Sequence, residues 1–318
     1  MKNTLFAIGE ALIDFIPKEK GCGFSDVTSF SPKVGGAPAN VLGAFSKLGG
    51  KTQLITQLGN DPFGDKIYEE LSAYRIGLNY VKRTDKANTA LAFVSLDKGG
   101  DRTFSFYRNP SADMLYDGGN LKSSDFEDCY ALHFCSVSLG DFPMKEAHKK
   151  AISYAKENGA IISFDLNIRL PLWNDEKKLK SAINEFLPFA DIVKVSDDEI
   201  EFLTGCKDIE NGAKAMPGSS KLILCTCGSK GAYAFSKNLS VFAPPIAVNA
   251  CDTTGAGDAF CGCILNYILE HGWREYNEKE LGEMLEFANA AASIVTTRKG
   301  ALRVMPKLEE ISHVQRGV

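Results

Sequence analysis

The chain has 318 residues, 44% of them hydrophobic, and a formal net charge of −4. That length builds one large core or two smaller ones, since a single core stops growing at roughly 250–300 residues. The mildly acidic balance argues against nucleic acid, no run approaches the roughly 18 apolar residues of a membrane span, and nine cysteines in so long a chain do not suggest a disulfide scaffold.

The first residues, MKNTLFAIGEALIDFIP, carry one lysine and an apolar run broken by Glu10 and Asp14, unlike a secretory or transit leader. The expectation is a soluble, cytoplasmic protein. LFAIG reads as a first strand, and DFIPKEKGCGFSDVTSFSPKVGG after it as β-hairpin material. APANVLGAFSKLG then has helical spacing and TQLITQLG is a strand. ANTALAFVSLDKGGDRTFSFYR is again hairpin-like, turning at Lys98-Gly99-Gly100-Asp101. From there strands (ALHFCSV, AIISFDL, DIVKVS, KLILCTC) alternate with helical patterns such as MKEAHKKAISYAKENG and LGEMLEFANAAASIV. Such alternation predicts an α/β fold with a mainly parallel sheet covered by helices on both faces. The two hairpin stretches, at about 14–35 and 88–108, are too short to be domains. They read as a small β flap on a single domain spanning 1–318, with no linker, low-complexity tract or internal repeat.

Two C-x-C pairs, Cys225/Cys227 and Cys261/Cys263, lack the C-x₂-C spacing of common zinc sites, and Cys225 closes the apolar run LILC. They are read as reduced, structural thiols. GAGDAF at 255–260 precedes a helix with the apolar stripe Phe260, Ile264, Tyr267 and Ile268. Backbone N–H groups from Gly255 to Asp258 would point, unpaired, from the positive end of that helix, which makes an anion site. Asp258 has two readings. A carboxylate in a first turn steadies the helix dipole; beside a phosphate site it can instead accept the proton of an attacking hydroxyl. Rival phosphate motifs fail: a P-loop ending at Lys51-Thr52 needs glycine where Phe45 stands, and a dinucleotide fingerprint from Gly255 needs glycine where Phe260 stands.

Gly35-Gly36-Ala37-Pro38-Ala39-Asn40 opens the early helix, and Asn40 is polar on an apolar face, suited either to a polyhydroxylated ligand or to a satisfied core position. Asp14 follows the first strand, where α/β sheets place ligands, although loop aspartates are common. Arg108 and Arg169 follow strand-like runs and would suit an anionic ligand if they converged.

These motifs resemble those of the ribokinase-like (PfkB) carbohydrate kinases. DTTGAGDAF at 252–260 is similar to that family's C-terminal signature and GGAPANVLGAFSKLGG at 35–50 to its N-terminal one. The likeness runs over nearly the whole chain. It is strongest to the fructokinase branch through GEALIDFIP, ALAFVSL, FYRNPSADML and FDLNIRLPLW. The resemblance implies a three-layer α/β/α sandwich with a small β-sheet lid. It further implies ATP-dependent phosphorylation of fructose at its 6-hydroxyl; a 2-keto-3-deoxygluconate kinase is the alternative, and a non-catalytic sugar sensor a more distant one. Carried over by motif, Asp258 is the base, and Gly255, Ala256 and Gly257 form the anion hole. Asp14, Gly35, Gly36 and Asn40 bind sugar, with Phe106, Arg108 and Arg169 around it. For ATP the likeness points to Thr226, Gly228, Ser229 and Gly231 in TCGSKG and to Asn289. The family's Asn-x-x-Glu motif, tied to Mg2+ and phosphate placement, reads Ser196-Asp197-Asp198-Glu199, with serine in place of asparagine. Some members bind K+ at positions matching the Asp252 side chain and the carbonyls of Thr254, Val295, Arg298 and Gly300. Lids in the family also pair into homodimers. The implied partners are thus a sugar, ATP and a second copy of the chain, with neither nucleic acid nor membrane.

Overall fold

The computed structural model describes residues 2–19, 21, 23–96, 102–173 and 175–316. The turn expected at Lys98–Asp101 lies outside the described residues. Strands follow in chain order as β1 (Thr4–Ile8), β2 (Leu12–Pro17), β3 (Phe30–Gly35), β4 (Lys51–Gly59), β5 (Gly77–Thr84), β6 (Leu91–Leu96), β7 (Arg102–Tyr107), β8 (Cys129–Cys135), β9 (Ile161–Asp165), β10 (Ile192–Ser196), β11 (Leu222–Thr226), β12 (Ala232–Ser236) and β13 (Leu239–Ala243). The helices are α1 (Ala37–Lys47), α2 (Pro62–Ala73), α3 (Pro143–Glu157), α4 (Glu176–Phe186), α5 (Asp197–Thr204), α6 (Ile209–Ala215), α7 (Ala256–His271), α8 (Glu278–Thr296) and α9 (Leu308–Gln315).

The large sheet has the order β13-β12-β11-β10-β9-β8-β1-β4-β5. Pairing is parallel from β5 through to β11, and β12 and β13 add an antiparallel hairpin at one edge. Helices cover both faces, so β1, β8 and β9 are buried at every residue, which is why they read as unbroken apolar runs. One face carries α1, α7 and α8 through Val41, Leu42, Phe45, Phe260, Ile264 and Leu285. The other carries α3 and α4, where Phe134 stacks on Phe164 at 4.5 Å and meets Phe186 edge-on.

Helices α1 and α7 cross closely because Gly262 lacks a side chain. A Cβ there would lie 2.6 Å from the Ala44 Cβ and 2.9 Å from the Val41 carbonyl. That approach brings Asn40, at the start of α1, to the first turn of α7.

The strands of the two irregular stretches form a second sheet, β3-β2-β6-β7. Its faces differ. The register Asp14–Ala92–Phe106 sets a polar and an aromatic side chain on one face. On the other, Phe15 stacks on Phe93 at 4.6 Å, with Phe30 and Tyr107 edge-on to the same ring. Asp14, expected just past the first strand, lies inside β2 of this small sheet.

Elements outside the sequence reading are mostly peripheral. Strand β5 is an edge strand with half-buried side chains and no clean alternation. Helix α2 had a legible start, since Asp61 caps it by accepting the Gly64 N–H at 2.8 Å and Pro62 follows.

Candidate active site

The parallel strands end on one side of the sheet, and the residues just past them converge there. Gly255, in the left-handed region at φ 80°, turns the chain into α7. The Ala256 N–H bonds to the Thr253 carbonyl at 3.3 Å, and the Ala259 N–H closes onto Gly255 at 2.8 Å. The amide set expected from 255 to 258 therefore includes one, Ala256, with a partner in its own turn.

Asp258 sits in this first turn and accepts a hydrogen bond from Asn40 Nδ2 at 2.8 Å. Burial pushes its pKa up to about 6, opposed by the Asn40 bond and by the positive charges of Lys194 and Arg169, and reinforced by Asp165. Asn40 is itself buried, and its Oδ1 has no hydrogen-bond partner among the described residues. An acceptor buried without a donor is costly, so this oxygen is a natural seat for a ligand hydroxyl.

Gly35 and Gly36 lie at the junction of the small sheet and α1. A Cβ on Gly35 would fall 2.3 Å from an Asp14 carboxylate oxygen, and one on Gly36 would fall 2.5 Å from the Glu10 carbonyl. Phe106 packs on Leu12, Ala90 and Ala92. Arg169 is half-buried, donates to the Ile168 carbonyl at 2.9 Å and lies within electrostatic reach of Asp258. Arg108 is placed differently. Its side chain is buried and ion-paired with Asp113, and it donates to the Val137 carbonyl at 3.4 Å.

On the other side of α7's start is a cavity of about 490 Å³. Thr226, Gly228, Ser229, Gly231 and Asn289 all line it, together with Ala256 and Gly257 of the glycine loop. Asn289 donates to the Pro244 carbonyl at 3.0 Å, which fixes its side chain on the cavity wall.

Ser196 and Glu199 form a capping box on α5. Ser196 Oγ accepts the Glu199 N–H at 3.1 Å, and Glu199 Oε2 accepts the Ser196 N–H at 2.8 Å. The second carboxylate oxygen accepts the Ile168 N–H at 2.6 Å, tying α5 to the loop after β9. The serine found in place of asparagine is thus an N-cap, a signal present in the S-D-D-E spacing itself. Asp252 accepts the Thr254 and Gly300 N–H groups at 2.9 and 3.1 Å. The Arg298 N–H bonds to the Val295 carbonyl at 3.1 Å. The Gly300 bond ties the segment that carries Arg298 and Gly300, positions the resemblance assigns to a monovalent cation, to the turn before α7.

Sequence reasoning missed three groups. Glu10 is fully buried, and one of its carboxylate oxygens accepts the first amide of α1, from Ala37, at 3.2 Å. The other takes the Ser138 hydroxyl at 2.8 Å. Burial raises its pKa, offset by the nearby Arg108 guanidinium. Lys194 and Asp165 form a buried ion pair at 3.1 Å beneath α7. Glu10 follows β1, Asp165 ends β9 and Lys194 is the middle residue of β10; the charged letters in FAIGE, FDL and IVKVS, set in apolar runs, were the available signal.

With this geometry in hand, the comparisons with known proteins are specific. Residues 2–308 match the family described as pfkB family carbohydrate kinase. The chain belongs to that family of carbohydrate kinases and has its ribokinase-like α/β fold. It is 39% identical to probable fructokinase-4 of Arabidopsis thaliana over 99% of this chain and 98% of that protein. Among solved structures, it superposes on the ATP-bound fructokinase of Xylella fastidiosa with a TM-score of 0.90 and 32% identity, covering 100% of this chain and 99% of the other. It likewise resembles a double mutant of the fructokinase of Vibrio cholerae O395 in its fructose, ADP and potassium ion bound form, with TM-score 0.86, 31% identity and coverage of 99% and 98%. No helix among the described residues is long and apolar enough to cross a membrane.

Proposed function

We propose that this chain is an ATP-dependent fructokinase of the cytoplasm, transferring the γ-phosphoryl group of ATP to the 6-hydroxyl of fructose. The observation that carries the reading is the placement of Asp258. Its carboxylate is bonded to Asn40 on the sugar side and stands at the head of α7, whose glycine loop lines the nucleotide cavity. Fructose lies against Asp14, Gly35, Gly36 and Asn40, with Phe106 and Arg169 at its edge. Its 6-oxygen bonds to the γ-phosphorus as the bond from phosphorus to the ADP oxygen breaks, and its proton passes to Asp258. Amides of Gly255 and Gly257 face the charge that develops on the transferred group, and the Ala256 amide joins them by giving up its long bond to Thr253. ATP occupies the cavity lined by Thr226, Gly228, Ser229, Gly231 and Asn289. Mg2+, when bound, neutralises phosphate charge near Ser196 and Glu199; because both Glu199 oxygens already accept backbone amides, that residue acts by fixing the loop rather than by offering a free carboxylate.

Asp252 and the carbonyls of Thr254, Val295, Arg298 and Gly300 would hold K+, whose charge would steady the turn into α7. The small sheet is a lid over the sugar. Closing it excludes water, which would otherwise accept the phosphoryl group. The lid's outer aromatic face pairs with that of a second copy.

The structure bears on the choice of substrate. Of the two arginines that would serve a sugar acid such as 2-keto-3-deoxygluconate, Arg108 is buried and already paired with Asp113, which leaves Arg169 to meet a carboxylate alone. An ADP-release assay over a sugar panel, with and without K+, decides the matter. Fructose should be turned over best and K+ should raise the rate; a kcat/KM about 100-fold higher for the sugar acid, worth about 2.7 kcal/mol, would reverse the assignment.

A further inference from the structure

Lys194 stands in the middle of β10, in a row of side chains that should be apolar. Across the sheet it faces Asp165 on β9 and the buried Leu224 on β11, and Ile192, two residues back on the same face of β10, is buried and apolar. Beside it His133 donates to or accepts from Ser163 Oγ at 3.0 Å, and burial lowers that imidazole's pKa to about 3, so it carries no charge. A buried ammonium in this row is expensive, and its pairing with Asp165 at 3.1 Å only offsets the cost. An apolar pair of the same volume would serve the fold at least as well. The ion pair therefore calls for a reason other than stability.

Its position supplies one. The Lys194 Nζ lies 3.1 Å from where a Cβ on Gly257 would stand, so the ammonium presses against the glycine loop from beneath. Asp165 contacts it by both carboxylate oxygens, at 3.1 and 3.2 Å, and the Cys261 thiol donates to the same carboxylate at 3.8 Å. The charged groups around the head of α7 are then Asp258, Asp165 and Glu199 against Lys194 and Arg169. Three carboxylates would repel a polyphosphate from this corner, and Arg169 is the more exposed of the two cations.

We propose that Lys194 is a further residue of the phosphoryl-transfer site, its ammonium clamped by Asp165 under Gly257 to supply the fixed positive charge that draws the transferred phosphoryl group onto the glycine loop. The proposal rests on the kinase reading above. Asp165 is a positioning residue: it points the amine and keeps it from competing for Asp258. Because the charge is set before substrate arrives, it stabilises the transition state without reorganisation. The sugar subsite, at Asn40 and Asp14, is separate from it.

A structural ion pair and a functional lysine respond differently when both charges are removed together. In Lys194→Met/Asp165→Asn no charge is stranded, so a purely structural pair predicts a folded, active enzyme. The proposal predicts a chain that melts like wild type but has kcat lowered about 100-fold or more, with the KM for fructose changed by less than about 3-fold. Lys194→Arg, which keeps the charge, should recover at least about a tenth of wild-type kcat, and it stands as the second measurement if the neutral pair folds poorly. Retention of kcat within about 3-fold by the folded double variant, or a folded Lys194→Arg chain as slow as the neutral pair, would overturn the assignment. A wild-type chain without ATP-dependent turnover of any sugar would instead overturn the kinase reading and this inference with it.

Discussion

At the scale of single residues, the proposed reaction turns on Asp258, and the environment of that carboxylate sets a pH dependence with a definite sign. A base must be ionised to take a proton, so kcat should be full above the Asp258 pKa and fall as pH drops through about 6. The effect on stability runs the other way. A pKa raised in the folded state means the native chain prefers the protonated acid, so this group's contribution favours folding at low pH and is lost as pH rises from about 4 to about 6. Asp258→Asn should then lower kcat at least about 100-fold while leaving fructose binding largely intact. The same variant should melt a few degrees higher than wild type at pH 7, since roughly 3 kcal/mol of ionisation cost disappears. Calorimetric melts beside pH–rate profiles check both halves, and an Asn variant that turns over normally removes the proposed base. What the sequence showed here was the carboxylate and its glycines. It did not show Asn40 as the group holding Asp258, because 218 residues separate the two and only folding places them 2.8 Å apart.

At the scale of elements, the site depends on how closely α1 and α7 cross. Both helices were legible from their apolar spacing, and both signature motifs sit at their starts. The crossing itself was not legible, because a glycine inside a helix reads only as a weak helix former. In the structure Gly262 is the contact point, against Ala44 and the Val41 backbone. Gly262→Val would force the helices apart, with overpacking of about 1–3 kcal/mol. Asn40 would then lose its hold on Asp258, and kcat should fall on the order of 10- to 100-fold even though no ligand-facing atom changes. Steady-state kinetics with a thermal melt separate the outcomes: a lower melting temperature with normal kcat would mean that the crossing serves packing alone. Helix α5 makes the converse point. Its Ser-Asp-Asp-Glu start was assigned to nucleotide binding, and the structure shows the same four residues also closing a capping box. The capping role was open to reading in the S-D-D-E spacing; what needed the structure was the further bond from Glu199 to the Ile168 amide.

At the scale of the whole molecule, strand alternation was enough to predict a parallel sheet between helical layers, because strands buried on both faces must be continuously apolar. The antiparallel edge of β12 and β13 escaped that reading, since β13 is mostly exposed and its pattern is faint. The small sheet was visible as two hairpin-like stretches, but not the difference between its faces. One face carries Asp14 and Phe106 toward the site; the other gathers Phe15, Phe30 and Phe93, with Tyr107 62% and Phe24 43% exposed at its margin. A small two-faced sheet with aromatics on both sides has too little to bury on its outer face alone, and exposed aromatic patches of this kind mark association sites. In the homodimer proposed above the partner is a second copy, whose lid presents the same apolar surface, as a two-fold interface requires. Light scattering should therefore give twice the chain mass. Tyr107→Lys, which sets an unpaired charge on the exposed margin of that face, should shift the population to monomer and raise the KM for fructose as the lids lose mutual support. If the wild-type chain runs as a monomer at micromolar concentration with full activity, the outer aromatic face has no role in closing the site, and the lid must close on its own contacts.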